Sequence, residues 1–278
     1  MVGCRRLPVC NCYNNNSALL NKYGGYKPFS LLMSFVRSVL HMAWMALTVV
    51  PYTLAIVLGA LFGMSRARRY RIASAWLGLS SLASARVILG IETRITGMEN
   101  LPVGAVTPAV LLVKHQSTFE TFVMPAIMPH PLAYVFKKEL LHVPFFGWSI
   151  GLLDMIHIDR SLRTQAFKRV VAQGKERLAQ GIWIIMFPEG TRIERGQKGV
   201  YETSGTRLAV QTGAPVVPIA VTSAKCWPRK AFVKTPGIVD ISIGKPIPSV
   251  GRHHKELMQE VEDWIEAEMR RLDPEAYR

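Results

Sequence analysis

The sequence is poor in cysteine, and the few cysteines are badly placed for cross-linking. Three of the four crowd the first dozen residues at Cys4, Cys10 and Cys12, and Cys226 stands alone far along the chain. This is no disulfide framework, so a reducing compartment is expected. No second Cys or His pair follows Cys10-x-Cys12 at zinc-ligand spacing, and no metal site is predicted.

Acidic side chains are also scarce. The 278 residues hold 34 Lys and Arg against 19 Asp and Glu, which gives a net charge of +15. Such an excess favours acidic partners, namely nucleic acid, anionic lipid or an acidic carrier protein. The mean hydropathy of +0.18 favours a membrane surface. A basic protein that binds a membrane or nucleic acid without catalysing a reaction is one alternative, and it should interleave basic and aromatic residues along one face. The basic residues near the motifs described below cluster at strand ends instead, so no nucleic-acid partner is expected.

Formal charge is missing altogether between Ser38 and Ser65. A helix of that length exceeds the roughly 30 Å hydrocarbon core of a bilayer. Pro51 lies near its middle and is predicted to kink or break it. The segment therefore either spans with tilt or folds as two short helices in one leaflet. It is too long and starts too late for a cleaved signal peptide.

Basic residues flank this segment on both sides. Four arginines at 66, 68, 69 and 71 follow it, and by the positive-inside rule they place the rest of the chain in the cytoplasm. Basic residues before the segment weaken that assignment and favour an in-plane hairpin. Residues 72–91 read as an interfacial or core helix.

Three segments are predicted along the chain. Residues 1–32 form a loose tail without apolar periodicity, 33–92 form membrane-associated helices, and 93–278 form a folded domain. Met33, directly before the membrane segment, is the expected start of the functional protein.

The folded domain alternates short apolar runs with helical patterns. The predicted strands are Ala109–Lys114, Leu132–Phe136, Trp183–Phe187, Val216–Val221 and Ile238–Ile243. The predicted helices are Glu120–Met128, Thr164–Ala179, Glu202–Thr212 and an amphipathic helix around Leu257–Met269. This alternation predicts an α/β fold: a mixed, largely buried sheet flanked by helices, preceded by the N-terminal membrane-associated helical segment.

The sharpest local motif is His115-Gln-Ser-Thr-Phe-Glu120, at the end of a predicted strand. Within one helix, positions five apart lie about 140° from each other and could not cooperate. With His115 in a loop and Glu120 in the first helical turn, the imidazole could act as a general base supported by the carboxylate. Ser117 and Glu120 also fit a capping box, and the two interpretations are compatible.

A second motif, Phe187-Pro-Glu-Gly-Thr-Arg192, follows another predicted strand. Gly190 would let the backbone approach a ligand closely, while Thr191 and Arg192 can hold phosphate oxygens. An ordinary turn with a solvated arginine is the alternative.

Two further basic clusters lie near ends of predicted strands or apolar runs. They are Asp159-Arg160, otherwise a local ion pair, and Lys137-Lys138-Glu139, otherwise a solvated loop.

A competing pattern is Gly147-Trp-Ser149-Ile-Gly151, which matches the nucleophile elbow of lipases and esterases. Candidate partners follow in the required order: Asp159 or Asp240, then His253 or His254. Pro144 interrupts the short run where a central strand should end, which disfavours this interpretation.

Taken together, the motifs resemble the glycerolipid acyltransferase family typified by 1-acylglycerol-3-phosphate acyltransferases. Its blocks occur in order as HQSTFE (115–120), FFGW to IDR (145–160), FPEGTR (187–192) and VVPIAV (216–221). KKELLHVP (137–144) is also similar, and the resemblance covers roughly residues 33–272.

The resemblance implies that residues 93–278 form an acyltransferase catalytic domain with His115 as general base, helped by Glu120. It also implies a glycerophosphate site made of Lys137, Arg160, Glu189, Gly190, Thr191 and Arg192. The family's usual acid in the first block is Asp, so Glu120 is a departure that changes the reach of the carboxylate.

The implied reaction moves a fatty acyl group from acyl-carrier protein or acyl-CoA to the free hydroxyl of 1-acylglycerol-3-phosphate, giving phosphatidic acid. The thioester is a co-substrate, and no cofactor or metal is implied. A lyso-ornithine lipid or another lysophospholipid is the alternative acceptor. The expected location is a bacterial inner membrane, with the catalytic domain on the cytoplasmic side.

Overall fold

The protein folds around one seven-stranded sheet, seen in a computed structural model that describes residues 28–158 and 163–277. The strands are β1 (Ile91–Thr96), β2 (Val110–Val113), β3 (Leu132–Lys137), β4 (Ile156–Ile158), β5 (Trp183–Met186), β6 (Val216–Val221) and β7 (Gly237–Ile243). They lie in the order β1-β7-β6-β2-β5-β3-β4. All neighbours run parallel except β6 and β7, which confirms the mixed sheet.

Helices cover both faces of the sheet. They are α1 (Pro28–Leu61), α2 (Arg66–Gly78), α3 (Phe119–Ile127), α4 (Phe146–Gly151), α5 (Arg163–Ala179), α6 (Ser204–Thr212) and α7 (His254–Leu272). Two π-helical turns, Leu79–Ala83 and Ala85–Leu89, extend α2 towards β1.

Strand β2 shows how the sheet separates two apolar cores. Leu111 and Val113 belong to the core that includes Phe119 of α3, whereas Val110 and Leu112 belong to the core beneath α5, α6 and α7. Successive strand residues point to opposite faces, so an uninterrupted apolar run is required where both faces are covered. The four-residue strand is wholly buried, as this arrangement demands.

Of the kink or break expected at Pro51, the break does not occur, because α1 continues through that proline to Leu61. A proline removes one backbone hydrogen bond, a loss that long apolar helices tolerate. The chain turns instead at Gly63, whose φ of +75° is a left-handed conformation that favours glycine. Ser65 then caps α2, its hydroxyl accepting a hydrogen bond from the Arg68 N–H at 3.4 Å.

The N-terminal helical segment runs from residue 28 to residue 89. From the sequence, this segment was predicted at residues 33–92. Residues 1–27 lie outside the described part of the chain. Phe29–Leu61 and Arg66–Leu89 are each long and apolar enough to cross a membrane. Large apolar side chains such as Leu47, Leu58 and Leu61 are exposed on α1. These two apolar helices suggest association with a membrane.

Candidate active site

The two sharpest motifs occupy the same edge of the sheet. β2 ends at Val113, two residues before His115, and β5 ends at Met186, immediately before Phe187. Because β2 and β5 are parallel neighbours, their carboxyl ends lie side by side. Ligands of α/β proteins bind at this edge.

His115 and Glu120 meet at this edge. Nδ1 of His115 lies 3.6 Å from Oε2 of Glu120, with the imidazole 14% exposed and the carboxylate fully buried. The imidazole stacks on the Phe187 ring, with 3.8 Å between ring centroids. Stacking holds the ring plane, and because Nδ1 faces Glu120, Nε2 is the nitrogen that can face a ligand.

Neutral groups hold the Glu120 carboxylate. It accepts hydrogen bonds from the backbone N–H of Gln116 at 3.1 Å, from that of Ser117 at 3.0 Å, and from the Ser223 hydroxyl. Among the described residues, His115 is the one basic side chain within ion-pair distance of it. The negative charge of Glu120 is therefore directed at the imidazole.

The predicted capping box forms only in part. Glu120 folds back to the Ser117 N–H as expected, but α3 begins at Phe119 with Thr118, not Ser117, as its N-cap. The Ser117 hydroxyl instead accepts the Phe119 N–H at 3.1 Å. The bond from the Ser117 N–H holds the Glu120 side chain back over the start of α3, next to His115.

Glu189 in the second motif is buried and fully engaged. Its Oε1 lies 2.6 Å from Lys114 Nζ, and its Oε2 accepts the His115 backbone N–H at 2.9 Å. Burial raises the pKa of this carboxyl, and the Lys114 ammonium opposes the rise. Glu189 thus contacts the first motif directly and points away from solvent.

The remaining residues of the second motif lie nearer the surface. Gly190 has a φ of +61° and, like Thr191, is exposed. Arg192 donates from Nη1 to the Thr118 hydroxyl at 2.9 Å, and no carboxylate among the described residues pairs with it. The next residue, Ile193, donates its N–H to the His115 carbonyl at 2.8 Å. The two motifs are therefore joined into one unit.

A cavity of about 590 Å³ opens beside this unit. His115, Gly190, Thr191 and Arg192 contribute to its lining. The rest of the wall is largely apolar and comes from both parts of the molecule, including Tyr52, Ile56, Trp76, Phe122 and Met186. The membrane-type helices and the folded domain thus share one cavity.

The side chains of two predicted site residues, Lys137 and Arg160, are not described by the structure. Lys137 is the last residue of β3, so its backbone lies at the carboxyl edge of the sheet. Arg160 lies outside the described residues, as does Asp159. Within the described ranges, no group of three His, Cys, Asp or Glu side chains could hold a metal ion.

Sequence reasoning missed two buried polar residues, Lys114 and Ser223. Lys114 precedes His115, and a lysine that directly follows an apolar strand was a usable signal. Ser223 follows β6, the other parallel neighbour of β2, so its position near the same edge could have been inferred from the strand order.

The Gly147–Gly151 pattern is not a nucleophile elbow. It forms the short helix α4, which follows the 3-10 helix Lys138–His142 instead of a strand. The Ser149 hydroxyl donates to the Thr53 hydroxyl of α1 at 3.1 Å, and no described histidine is bonded to it. Its role is contact between the domain and α1.

The sequence of the chain is similar to those of known acyltransferases. Residues 92–222 match a sequence model of the family described as Acyltransferase. A 1-acyl-sn-glycerol-3-phosphate acyltransferase of Pseudomonas aeruginosa is 44% identical over 192 residues, which cover 68% of this chain and 73% of that protein. One of Saccharomyces cerevisiae is 30% identical over 168 residues, 58% of this chain and 54% of that protein.

The fold also has a solved counterpart. The crystal structure of the 1-acyl-sn-glycerophosphate acyltransferase of Thermotoga maritima superposes with a TM-score of 0.67 at 24% identity. The superposition covers 88% of this chain and 96% of the other, so the two proteins share their overall fold.

Proposed function

The chain belongs to the acyltransferase family, and we propose that it transfers a fatty acyl group from a thioester to the free hydroxyl of 1-acylglycerol-3-phosphate, giving phosphatidic acid. One observation carries the proposal: a His115–Glu120 pair and Arg192, which has no carboxylate partner among the described residues, lie along a single, mostly apolar cavity. Such a cavity suits a lipid that bears both a hydroxyl and a phosphate.

His115 acts as the general base in this proposal. Its Nε2 takes the proton of the acceptor hydroxyl while that oxygen attacks the thioester carbonyl carbon. Collapse of the tetrahedral adduct breaks the carbon–sulfur bond, and the thiolate leaves with the proton that the imidazolium returns. An acyl-enzyme is not needed, because His115 serves both proton transfers.

Glu120 stabilises the imidazolium that forms between these transfers. The 3.6 Å separation is longer than a hydrogen bond, and such catalytic contacts commonly tighten when substrate binds. A carboxylate on the Nδ1 side also fixes the tautomer in which Nε2 can accept a proton.

The acceptor phosphate binds at Gly190, Thr191 and Arg192 in this proposal, with Lys137 and Arg160 as further contacts. Arg192 supports this assignment because it lines the cavity without a described carboxylate partner. Glu189 belongs to the same loop, but its two oxygens already serve Lys114 and His115. We therefore assign Glu189 the task of holding the loop in place.

Acyl chains occupy the apolar part of the cavity. Side chains of α1 and α2, including Ile56 and Trp76, face the same space as Phe122 of α3. A lipid could pass from a membrane that surrounds α1 into this cavity without exposing its chain to water, which favours a site placed at the membrane surface.

The donor is an acyl-CoA or an acyl-carrier protein. Both carry negative charge, which suits a chain of net charge +15. We place the domain on the cytoplasmic side of the membrane, which we take to be a bacterial inner membrane, because four arginines in the first six residues of α2 follow the apolar α1. Exposed Val143, Phe145 and Trp148, next to the cavity wall and α1, would then contact the lipid headgroup region.

An acylation assay on proteoliposomes tests the proposal. Purified protein would receive 1-acylglycerol-3-phosphate with either acyl-CoA or acyl-carrier protein thioester, and phosphatidic acid would be quantified by mass spectrometry. We expect product with at least one donor. Efficient acylation of lyso-ornithine lipid, with none of lysophosphatidate, would assign the alternative acceptor.

Arg192→Ala tests the phosphate site. A lost charge-assisted hydrogen bond is worth about 1.5–3 kcal/mol, so KM for lysophosphatidate should rise roughly 10- to 100-fold with a smaller change in kcat. Arg252→Ala, which breaks the Arg252–Glu260 pair at 2.7 Å, is the matched control. Unchanged acceptor kinetics in Arg192→Ala would contradict the assignment.

A further inference from the structure

Lys114 is a completely buried lysine at the end of β2, and the reaction outlined above gives it no task. Its Nζ lies 2.6 Å from Oε1 of Glu189 and 2.7 Å from Oε1 of Glu266, and 3.4 Å from the Gln197 carbonyl oxygen. All three ammonium protons therefore have acceptors. Buried lysines persist only where such partners compensate for lost hydration.

The two glutamates come from distant parts of the chain. Glu189 lies in the loop after β5, and Glu266 lies on the C-terminal helix α7. The Tyr201 hydroxyl donates to the same Glu266 oxygen at 2.8 Å, and burial raises the pKa of Tyr201, which keeps this donor protonated. Lys114 thereby ties α7 to the loop beside the sheet edge.

The network ends at the backbone of His115. The Glu189 oxygen that Lys114 does not bind accepts the His115 N–H at 2.9 Å, and Ile193 donates to the His115 carbonyl. Both backbone polar groups of His115 are thus held by the loop that carries Glu189. The orientation of Glu189 in turn depends on Lys114.

We propose that Lys114 is a positioning residue: through Glu189 it fixes the His115 backbone so that the imidazole faces both Glu120 and the cavity, with Glu266 as its anchor on α7. This rests on the proposed function insofar as His115 is the general base. Lys114 itself need not touch a substrate, since it does not line the cavity.

Removing Lys114 should also change the response to pH. Burial raises the pKa of Glu189, and the charges that face it are Lys114 from β2 and Glu266 from α7. Tyr201 and Tyr277 lie near the same carboxylates as neutral phenols. Without the ammonium, Glu189 should bind a proton at higher pH, and a protonated carboxyl is a poorer acceptor for the His115 N–H.

The primary test is Lys114→Met, assayed in proteoliposomes across a pH series. We expect kcat at neutral pH to fall at least tenfold, with KM for both substrates changed less than threefold. The acid limb of the pH profile should move to higher pH, so that part of the loss is recovered in alkaline buffer. A kcat within twofold of wild type and an unmoved acid limb would overturn the proposal.

Two further variants calibrate this result. Glu266→Gln weakens the anchor on α7 but keeps the Lys114–Glu189 pair, so its fall in kcat should lie between wild type and Lys114→Met; a fall larger than that of Lys114→Met would overturn the proposal. Lys198→Met removes another Lys–Glu contact to α7, the Lys198–Glu262 pair at 2.5 Å, and should leave kcat and the pH profile unchanged. A pH shift in Lys198→Met equal to that in Lys114→Met would show a general effect of charge, and would overturn the proposal.

A second route covers the case in which Lys114→Met does not fold. Glu189→Gln is nearly isosteric, but its single amide oxygen cannot serve both Lys114 and the His115 N–H in full. We expect it to lower kcat several-fold without raising KM for lysophosphatidate. A Glu189→Gln enzyme with wild-type kcat would overturn the proposal on its own.

Chemical labelling separates this proposal from the proposed function. The reaction of His115 with diethylpyrocarbonate, followed by peptide mass spectrometry with the exposed His253 as internal reference, needs no turnover. We expect Lys114→Met to change the His115 labelling rate at least threefold at neutral pH. An inactive wild type with this labelling change would refute the acyl-transfer proposal alone, whereas an active wild type with unchanged labelling would refute the positioning role.

Discussion

Two buried glutamates approach His115 from different sides and are treated differently by the fold. Glu120 lies 3.6 Å from the imidazole, and Glu189 accepts the backbone N–H of the same residue. Glu189 is paired with a lysine at 2.6 Å, whereas Glu120 is held by two backbone N–H groups and the Ser223 hydroxyl. Both side chains are fully withdrawn from water.

This difference indicates which of the two carboxylates can stabilise a positive charge on the His115 imidazole during the reaction. Neutral donors stabilise a carboxylate without cancelling its charge, so Glu120 retains an electrostatic effect on the nearby imidazole in a medium of low dielectric. Lys114 cancels the charge of Glu189, which leaves a fixed hydrogen-bond acceptor. Environment, more than residue type, separates an electrostatic partner from a structural one.

His115→Ala removes the group on which both carboxylates act and should have the largest effect. Loss of a general base typically lowers the rate about 10²- to 10⁴-fold. Acylation rate and thermal unfolding should be measured together, because the imidazole lines the cavity and its loss should leave the fold intact. A folded variant that keeps more than roughly half of the wild-type turnover would refute the assignment of the base.

Glu120→Gln sharpens the comparison because it removes the charge while keeping the shape. We expect kcat to fall by about 10²-fold, the lower end of the range for acid–base groups. Glu120→Asp retains the charge and should be less harmful, although its shorter reach lengthens the distance to Nδ1. If Gln were near-silent in turnover while Asp was not, Glu120 would be a helix cap and nothing more.

Much of this site could be predicted from local patterns. A histidine at a strand end, followed by a serine and a glutamate at capping-box spacing, implies a Glu120 that folds back towards His115, and the structure shows that geometry. The opposite task of Glu189 could not be predicted, because its partner Lys114 is 75 residues away in sequence, and Glu266, the second carboxylate bound to that lysine, is 152 residues from it. Only the tertiary fold brings these three side chains together.

In the fold, too, features set by local sequence could be predicted, and features set by contacts between distant residues could not. Strand β6 was predicted at its observed bounds, because a continuous apolar run between turn signals is typical of a buried strand. Strands β1 and β4 were missed. β1 alternates buried and exposed residues in the weakly apolar IETRIT, and β4 is only three residues long. The antiparallel β6–β7 pair depends on tertiary packing that no local pattern specifies.

Ser223→Ala breaks the one side-chain hydrogen bond that Glu120 accepts from the described residues and should have an intermediate effect. Hydrogen bonds to charged groups contribute about 1.5–3 kcal/mol, but two backbone donors remain, so we expect a fall in kcat of about tenfold. Ser242→Ala is the matched control. The Ser242 hydroxyl, near the end of β7, likewise donates to a carboxylate, that of Glu268 on α7, at 2.6 Å. Equal kinetic effects in both variants would show that Ser223 contributes only to stability.

Ser149→Ala should have the smallest effect, because the Ser149 hydroxyl bonds to neither glutamate and, among the described residues, bonds only to Thr53. Losing this bond between α4 and α1 should lower stability by about 0.5–1.5 kcal/mol and leave turnover within a few-fold of wild type. A serine nucleophile would instead be indispensable and would react with a fluorophosphonate probe. An inactive but folded Ser149→Ala protein, with stoichiometric labelling of Ser149 in the wild type, would replace the His115–Glu120 mechanism by a serine hydrolase.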